Sequence, residues 1–129
     1  MARPVAKALT ERELELMHIY WQHEAMTAAS ARDELAKTGR DLAYTTVATL
    51  SRLLCEKGFL EQTNAERPFY YKAAQAFDRV SKRLVGDLVD RVFQGSRTQL
   101  LLTLVEDRKL TAKERQVLQS ILHEQEGAK

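Results

Sequence analysis

The stretch Tyr44-Thr45-Thr46-Val47-Ala48-Thr49-Leu50-Ser51-Arg52-Leu53-Leu54-Cys55-Glu56-Lys57, closed by Gly58 and followed by Phe59-Leu60-Glu61-Gln62-Thr63, decides the fold. At about 100° per residue, Ala43, Val47, Leu50, Leu54 and the stem of Lys57 fall on one face of a helix predicted over residues 43–57. Thr45, Ala48, Thr49, Arg52 and Glu56 fall on the other. An apolar face backed by small hydrogen-bonding groups and one cation suits a helix that lies in a major groove. Thr45, Thr46 and Thr49 are costly in a helix, because β-branched side chains lose χ1 freedom there. Hydroxyl contacts to phosphates or base edges give that cost a functional return.

Past Gly58 the pattern becomes strand-like. Residues 59–63, a turn at 64–67 and residues 68–72 read as strand, turn, strand, with Tyr70 and Tyr71 on opposite faces. Upstream, Thr10-Glu11-Arg12-Glu13 spells a capping box with Leu9 and Leu14 at the staple positions. Leu14, Met17, Tyr20 and Trp21 then recur at helical spacing and predict a first helix over 11–22. Thr27 is placed to cap a second helix that ends near Lys37, with Ala31 and Leu35 inward. Three helices and a hairpin, in that order, predict a winged helix-turn-helix over residues 1–73.

Downstream the helical period returns. Phe77, Val80, Leu84, Val85, Leu88, Val89, Val92 and Phe93 form a broad stripe. A leucine-rich helix follows around Leu100–Val105, and a second box, Thr111 to Glu114, opens a last helix. So much apolar surface has little else in the chain to pack on, and a second copy is the simplest cover. Residues 74–129 are therefore expected to form a helical dimerisation region, with Leu84, Val85, Leu88, Val92, Leu101, Leu104, Leu118, Ile121 and Leu122 at the contact. The fold class is mainly α with a small β-hairpin.

Composition narrows the function. The chain has 129 residues, 20 Lys+Arg against 18 Asp+Glu, and one cysteine, Cys55. A disulfide framework and a cysteine-cluster metal site are excluded, and no apolar run is long enough to cross a bilayer. The opening MARPVAKAL has no apolar core of signal-peptide length, so a cytoplasmic location is expected. His18 and His23 lie five residues apart, the wrong helical spacing for a shared metal. No nucleotide loop or nucleophile–base pair occurs, so neither an enzyme nor a cofactor is expected. Residues 1–73 hold 10 basic and 10 acidic groups, net zero. That balance supports an alternative, a winged-helix protein-interaction module that does not read DNA.

Leu9-Thr10-x-x-Glu13-x-x-x-Met17-x-x-x-Trp21, then Tyr44-Thr45-Thr46-Val47-x-Thr49-Leu50, Lys57-Gly58-Phe59-Leu60 and the segment ending Arg67-Pro68-Phe69-Tyr70-Tyr71 together resemble the penicillinase-repressor family, the BlaI, MecI and CopY group. The resemblance covers the winged-helix half well and the C-terminal half in layout. It implies a homodimeric bacterial repressor that binds a pseudo-palindromic operator in double-stranded DNA. Its base-facing helix corresponds to Tyr44–Arg52 and its wing to Gln62–Tyr71. The residues expected on DNA are Arg40, Tyr44, Thr45, Thr46, Ala48, Thr49, Arg52 and Arg67. Arg52 has two readings, a phosphate or guanine contact and an ion pair with Glu56 one turn on.

Two departures bear on control. Antibiotic-resistance members of the family are cut by a sensor protease at an Asn-Phe bond, where this chain has Thr103-Leu104. Copper-responsive members carry a Cys-x-Cys arrangement, which a single Cys55 cannot supply.

Overall fold

The computed structural model describes residues 8–127. Helix α1 spans Glu11–Trp21, strand β1 Met26–Thr27, α2 Ala28–Lys37, α3 Tyr44–Glu56, β2 Leu60–Gln62 and β3 Tyr70–Ala73. Helices α4 Phe77–Val92, α5 Arg97–Asp107 and α6 Ala112–Gly127 follow. The chain divides into two compact units, with the break after Arg83 inside α4.

Local chemistry sets the helix starts. The Thr10 hydroxyl accepts from Glu13 N at 3.1 Å while Glu13 Oε1 accepts from Thr10 N at 2.8 Å, closing the box that the sequence spells. Thr27 Oγ1 accepts from Ser30 N at 3.1 Å to cap α2. Thr111 and Glu114 repeat the reciprocal box, at 3.1 and 2.9 Å, before α6. Gly39 and Gly58, which follow α2 and α3, have φ of +97° and +86°, a region where an L side chain is strained.

The core of the first unit is built by α1, α2, α3 and the sheet. Leu16, Met17, Ile19 and Tyr20 of α1 are buried with Ala31 and Leu35 of α2, Val47 and Leu54 of α3, and Phe59, Leu60 and Tyr71 around the hairpin. Of the face predicted for α3, Val47 and Leu54 are buried and Leu50 is half-buried, but Ala43 is exposed. The reason is that Ala43 is the N-cap, with extended backbone, and so stands outside the helical wheel. Ser51 takes the vacant inward place at 0% exposure.

The sheet has three strands rather than two, in the order β1-β3-β2, both pairings antiparallel. Met26 pairs with Tyr71 and Thr27 with Tyr70, so β1 ties the entrance of α2 to the hairpin. Both hairpin strands are shorter than the sequence reading, and Arg67, Pro68 and Phe69 belong to the connecting loop. Tyr71 is buried and Tyr70 exposed, as strand alternation predicts.

The sequence boundary at residue 73 rests on a change of period, whereas packing carries the first unit further. Trp21 Nε1 donates to Gln75 O at 2.9 Å, its ring stands edge-on to Phe77 at 5.1 Å, and Gln75 Nε2 donates to Gly58 O at 2.9 Å. In the second unit, none of the described residues of α5 or α6 is buried.

Candidate nucleic-acid interface

Two polar ties and a shared apolar core fix α3 against α1. Tyr20 Oη and Ser51 Oγ share a hydrogen bond of 2.9 Å in the interior. Lys57, the C-cap residue of α3, donates from Nζ to Glu13 Oε1 at 2.7 Å. Glu13 is only 2% exposed, and burial works against its ionisation. The hydrogen bond and charge of Lys57, with the donors of Thr10, outweigh that and hold the carboxyl below its ordinary pKa. Residues 13 and 20 are seven apart, two turns of α1, so both anchors leave the same face of that helix. They fix the roll and axial position of α3, hence which side chains it turns outward.

The Tyr20–Ser51 tie can be tested alone. Tyr20→Phe leaves a buried serine hydroxyl without its partner and is expected to cost about 1–2 kcal/mol. Tyr20→Phe with Ser51→Ala should recover part of that loss, measured by urea unfolding as a double-mutant cycle. Additive losses would mean that the two groups are not coupled.

Outward from these anchors lies a concavity of about 780 Å³ with three walls. Helix α2 supplies Thr27, Ala28 and Ala29 from its first turn, and α3 supplies Tyr44, Ala48, Thr49 and Arg52. The hairpin supplies Arg67, Pro68, Phe69 and Tyr71. Five of the eight residues expected on DNA therefore meet in one place. Thr45 and Thr46 are exposed on the first turn of α3 but lie outside this lining. Arg40 also lies outside it. Its Nε and Nη2 donate to Glu15 Oε1 and Oε2 at 3.1 and 3.0 Å, clasping the α2–α3 connection to α1. The clasp raises the Arg40 pKa and lowers that of Glu15.

The lining carries two cations and no carboxylate. Arg52 pairs with Glu56, so the bland reading of that arginine holds in the chain without DNA. Arg67 sits with its guanidinium carbon 5.8 Å from the Phe69 ring centroid, within cation–π range. Lys72, on β3, faces Glu61 across the hairpin at 3.3 Å.

Sequence reasoning missed what shapes the wing. Asn64 Oδ1 accepts from Tyr70 N at 2.8 Å, and its Nδ2 donates to Glu66 O and Pro68 O at 2.8 and 3.0 Å. One side chain thus closes the loop that carries Arg67. The signal was an Asn at the first position of a turn, a residue type that mimics backbone hydrogen bonding. Phe69 and Tyr71, taken simply as strand residues, also line the concavity. Among the described residues no cluster of His, Cys, Asp and Glu could hold a metal ion, and no helix is long and apolar enough to cross a membrane. Burial pushes the Cys55 thiol pKa up, away from the reactive thiolate.

Three helices whose third presents a polar face beside a β-hairpin wing define a winged-helix protein. Its solved relatives in shape include H. salinarum RosR, which superposes with a TM-score of 0.53 over 97% of this chain and 100% of that one, at 16% identity. The hsRosR-S1 complex gives 0.51 over 93% and 94%, also at 16% identity. The family model for the penicillinase repressor matches residues 9–124, and the chain belongs to that family. It is 25% identical over 115 residues to the methicillin resistance regulatory protein MecI of Mammaliicoccus sciuri, covering 89% of this chain and 93% of MecI. To the penicillinase repressor of Bacillus licheniformis it is 25% identical over 121 residues, 94% of each. The family is one of DNA-binding transcriptional repressors, not of enzymes.

Proposed function

We propose that this chain is a homodimeric repressor that binds a pseudo-palindromic operator, each subunit placing α3 in a major groove and its wing on the flanking backbone. The observation that carries the reading is the single concavity shared by the first turn of α2, the outer face of α3 and the wing. Helix α3, 13 residues and about 20 Å long, has the dimensions of a groove-reading element. Thr49 and Arg52 would face base edges, Arg67 the phosphates or minor groove beside them, and Tyr44 with Thr45 and Thr46 the backbone at the helix entrance. Arg40 would act on DNA only after leaving Glu15.

Dimerisation rests on apolar exposure. Val85, Leu88 and Val92 of α4, Leu101 and Leu104 of α5, and Leu118, Ile121 and Leu122 of α6 are 38–62% exposed in the single chain, and Leu84 is half-buried. That is a large amount of aliphatic surface for a monomer to leave in water. A two-fold pairing of residues 74–129 would cover it and set two winged helices about one helical turn of DNA apart, roughly 34 Å, or a multiple of that.

A sensor protease specific for Asn-Phe finds Thr103-Leu104 here, inside α5, with Thr103 Oγ1 donating to Gln99 O at 2.8 Å. The replaced pair argues against release by that particular cut and leaves a sensor protease of other specificity, a ligand or Cys55 oxidation as routes to derepression.

Selection of duplexes from a random pool by the full chain tests the proposal. A recovered site with inverted half-sites is the expected result. Failure to enrich any sequence would favour the module that does not read DNA, which the net zero charge of residues 1–73 supports. With a site in hand, Arg67→Ala should weaken binding to all sequences alike. Thr49→Ala should lose about 1–3 kcal/mol of discrimination at one base position of each half-site. A uniform loss for Thr49→Ala would take it off the bases.

A further inference from the structure

The tip of the wing is held by one side chain. Thr63 N donates to Tyr70 O at 2.8 Å and closes the base of the hairpin. Within residues 64–69 no further backbone-to-backbone bond forms among the described residues. Asn64 supplies what the backbone leaves out. Its Oδ1 takes Tyr70 N at 2.8 Å, and its Nδ2 reaches Glu66 O at 2.8 Å and Pro68 O at 3.0 Å. Residues 66 and 68 are the two chain neighbours of Arg67, so this amide pins the backbone on both sides of the arginine. Gln62 Nε2 donates to Asn64 O at 2.7 Å and steadies Asn64 in turn. Arg67 lines the concavity, and among the described residues no carboxylate pairs with it. Its guanidinium lies 5.8 Å from the Phe69 ring centroid instead.

We infer that Asn64 is a positioning residue for the DNA contact of the wing: it fixes the backbone from which Arg67 leaves, so that the guanidinium meets DNA already aimed. The inference rests on the proposed DNA-binding function. A loop without internal bonds samples many backbone conformations, and DNA would have to select one of them. That ordering subtracts from affinity, whereas a loop closed in advance has no such loss. The Phe69 ring narrows the freedom that remains in the Arg67 side chain by giving its guanidinium a face to rest on. Asparagine suits the task because its amide carries an acceptor and two donors on a short stem, and here both ends of the amide meet backbone partners. Residues 64–69 contribute nothing to the buried core, so the effect of closing the loop falls on what the wing touches.

The test is a double-mutant cycle on DNA affinity, using the full chain, a duplex selected from a random pool and a scrambled duplex of equal composition. Wild type is measured first, and failure to bind either duplex would refute the DNA-binding reading, and this inference with it, before any variant is made. Asn64→Ala is expected to weaken binding to both duplexes alike, about three- to tenfold, so that the ratio between them stays near wild type. Arg67→Ala should lose at least as much. The double variant should bind no more weakly than Arg67→Ala alone, because an asparagine that acts through the arginine has nothing left to position. A merely structural role would not produce that coupling. Thermal unfolding of each variant sets a binding temperature at which all four proteins are folded. Losses that multiply in the double variant, wild-type affinity in Asn64→Ala or in Arg67→Ala, or a loss confined to the selected duplex would each overturn the inference.

Discussion

Placing a carboxylate on the apolar faces of α5 and α6, as in the double variant Leu101→Glu/Leu118→Glu, is expected to give a folded monomer whose operator affinity is about 100-fold or more below wild type. Both leucines are exposed in the single chain, at 56% and 38%, so the substitution costs the monomer little. In a two-fold contact each glutamate would meet apolar surface, and burying an unpaired charge there costs several kcal/mol. The loss on DNA follows from avidity. Two half-sites held by one dimer gain about 10²–10⁴ over a single engagement. Sedimentation and gel shift on the same samples read both halves of the prediction. A chain ending at Arg83 should behave like the double variant, because it retains the Trp21–Gln75 hydrogen bond and the Phe77 contact that a chain ending at residue 73 would lose. A monomeric variant that keeps wild-type affinity would refute the dimer mechanism.

The second large effect is expected at Glu13. Glu13→Ala removes the side-chain acceptor of Thr10 N and the carboxylate partner of Lys57 Nζ, which keeps only its 3.3 Å bond to Ala8 O, at a position 2% exposed to solvent. Breaking a buried pair from one side costs about 3 kcal/mol, which lowers Tm by about 10 °C in a chain of this size. The pH dependence has a definite sign. The folded-state pKa of Glu13 lies below its ordinary 4.5, so the carboxylate's contribution is complete above 4.5. It is lost as the pH falls through the lowered folded-state value. The stability gap between wild type and Glu13→Gln should therefore be flat near neutrality and shrink below about pH 4.5. A gap that grows under acid would show that the ion pair contributes no net stability. Since Lys57 closes α3, operator affinity should fall along with Tm.

What could be read in the sequence was whatever local chemistry settles within one turn. The boxes at Thr10 and Thr111 and the cap at Thr27 involve partners three residues apart, and all three form as spelled. Strand β1 could not be read that way. Met26 and Thr27 become a strand only because Tyr71 and Tyr70, more than forty residues on, pair with them. Ser51 looks like an error on an apolar face until Tyr20 arrives with a hydroxyl from another helix. Arg40 looked available for phosphate, yet its carboxylate partner lies 25 residues earlier on α1. For the site, the periodicity of α3 placed Ala48, Thr49 and Arg52 on one surface, while the contribution of Phe69 and the governance of the wing by Asn64 depend on the folded loop. The break after Arg83 is likewise tertiary, since α4 continues through it without any change of period.

The two anchors between α1 and α3 have a consequence for how such a repressor changes its target over evolutionary time. Tyr20–Ser51 and Glu13–Lys57 lie on the inner side of α3 and at its end, while positions 45, 48, 49 and 52 lie outside. On the proposed DNA-binding reading, mutations at the outer four positions would leave both anchors intact, so the lineage could alter its DNA contacts at little thermodynamic risk. The anchors behave as the fixed spindle of a lock whose pins are free to be recut. Retargeting by design should follow the same division: randomise the outer positions and leave Glu13, Tyr20, Ser51 and Lys57 alone.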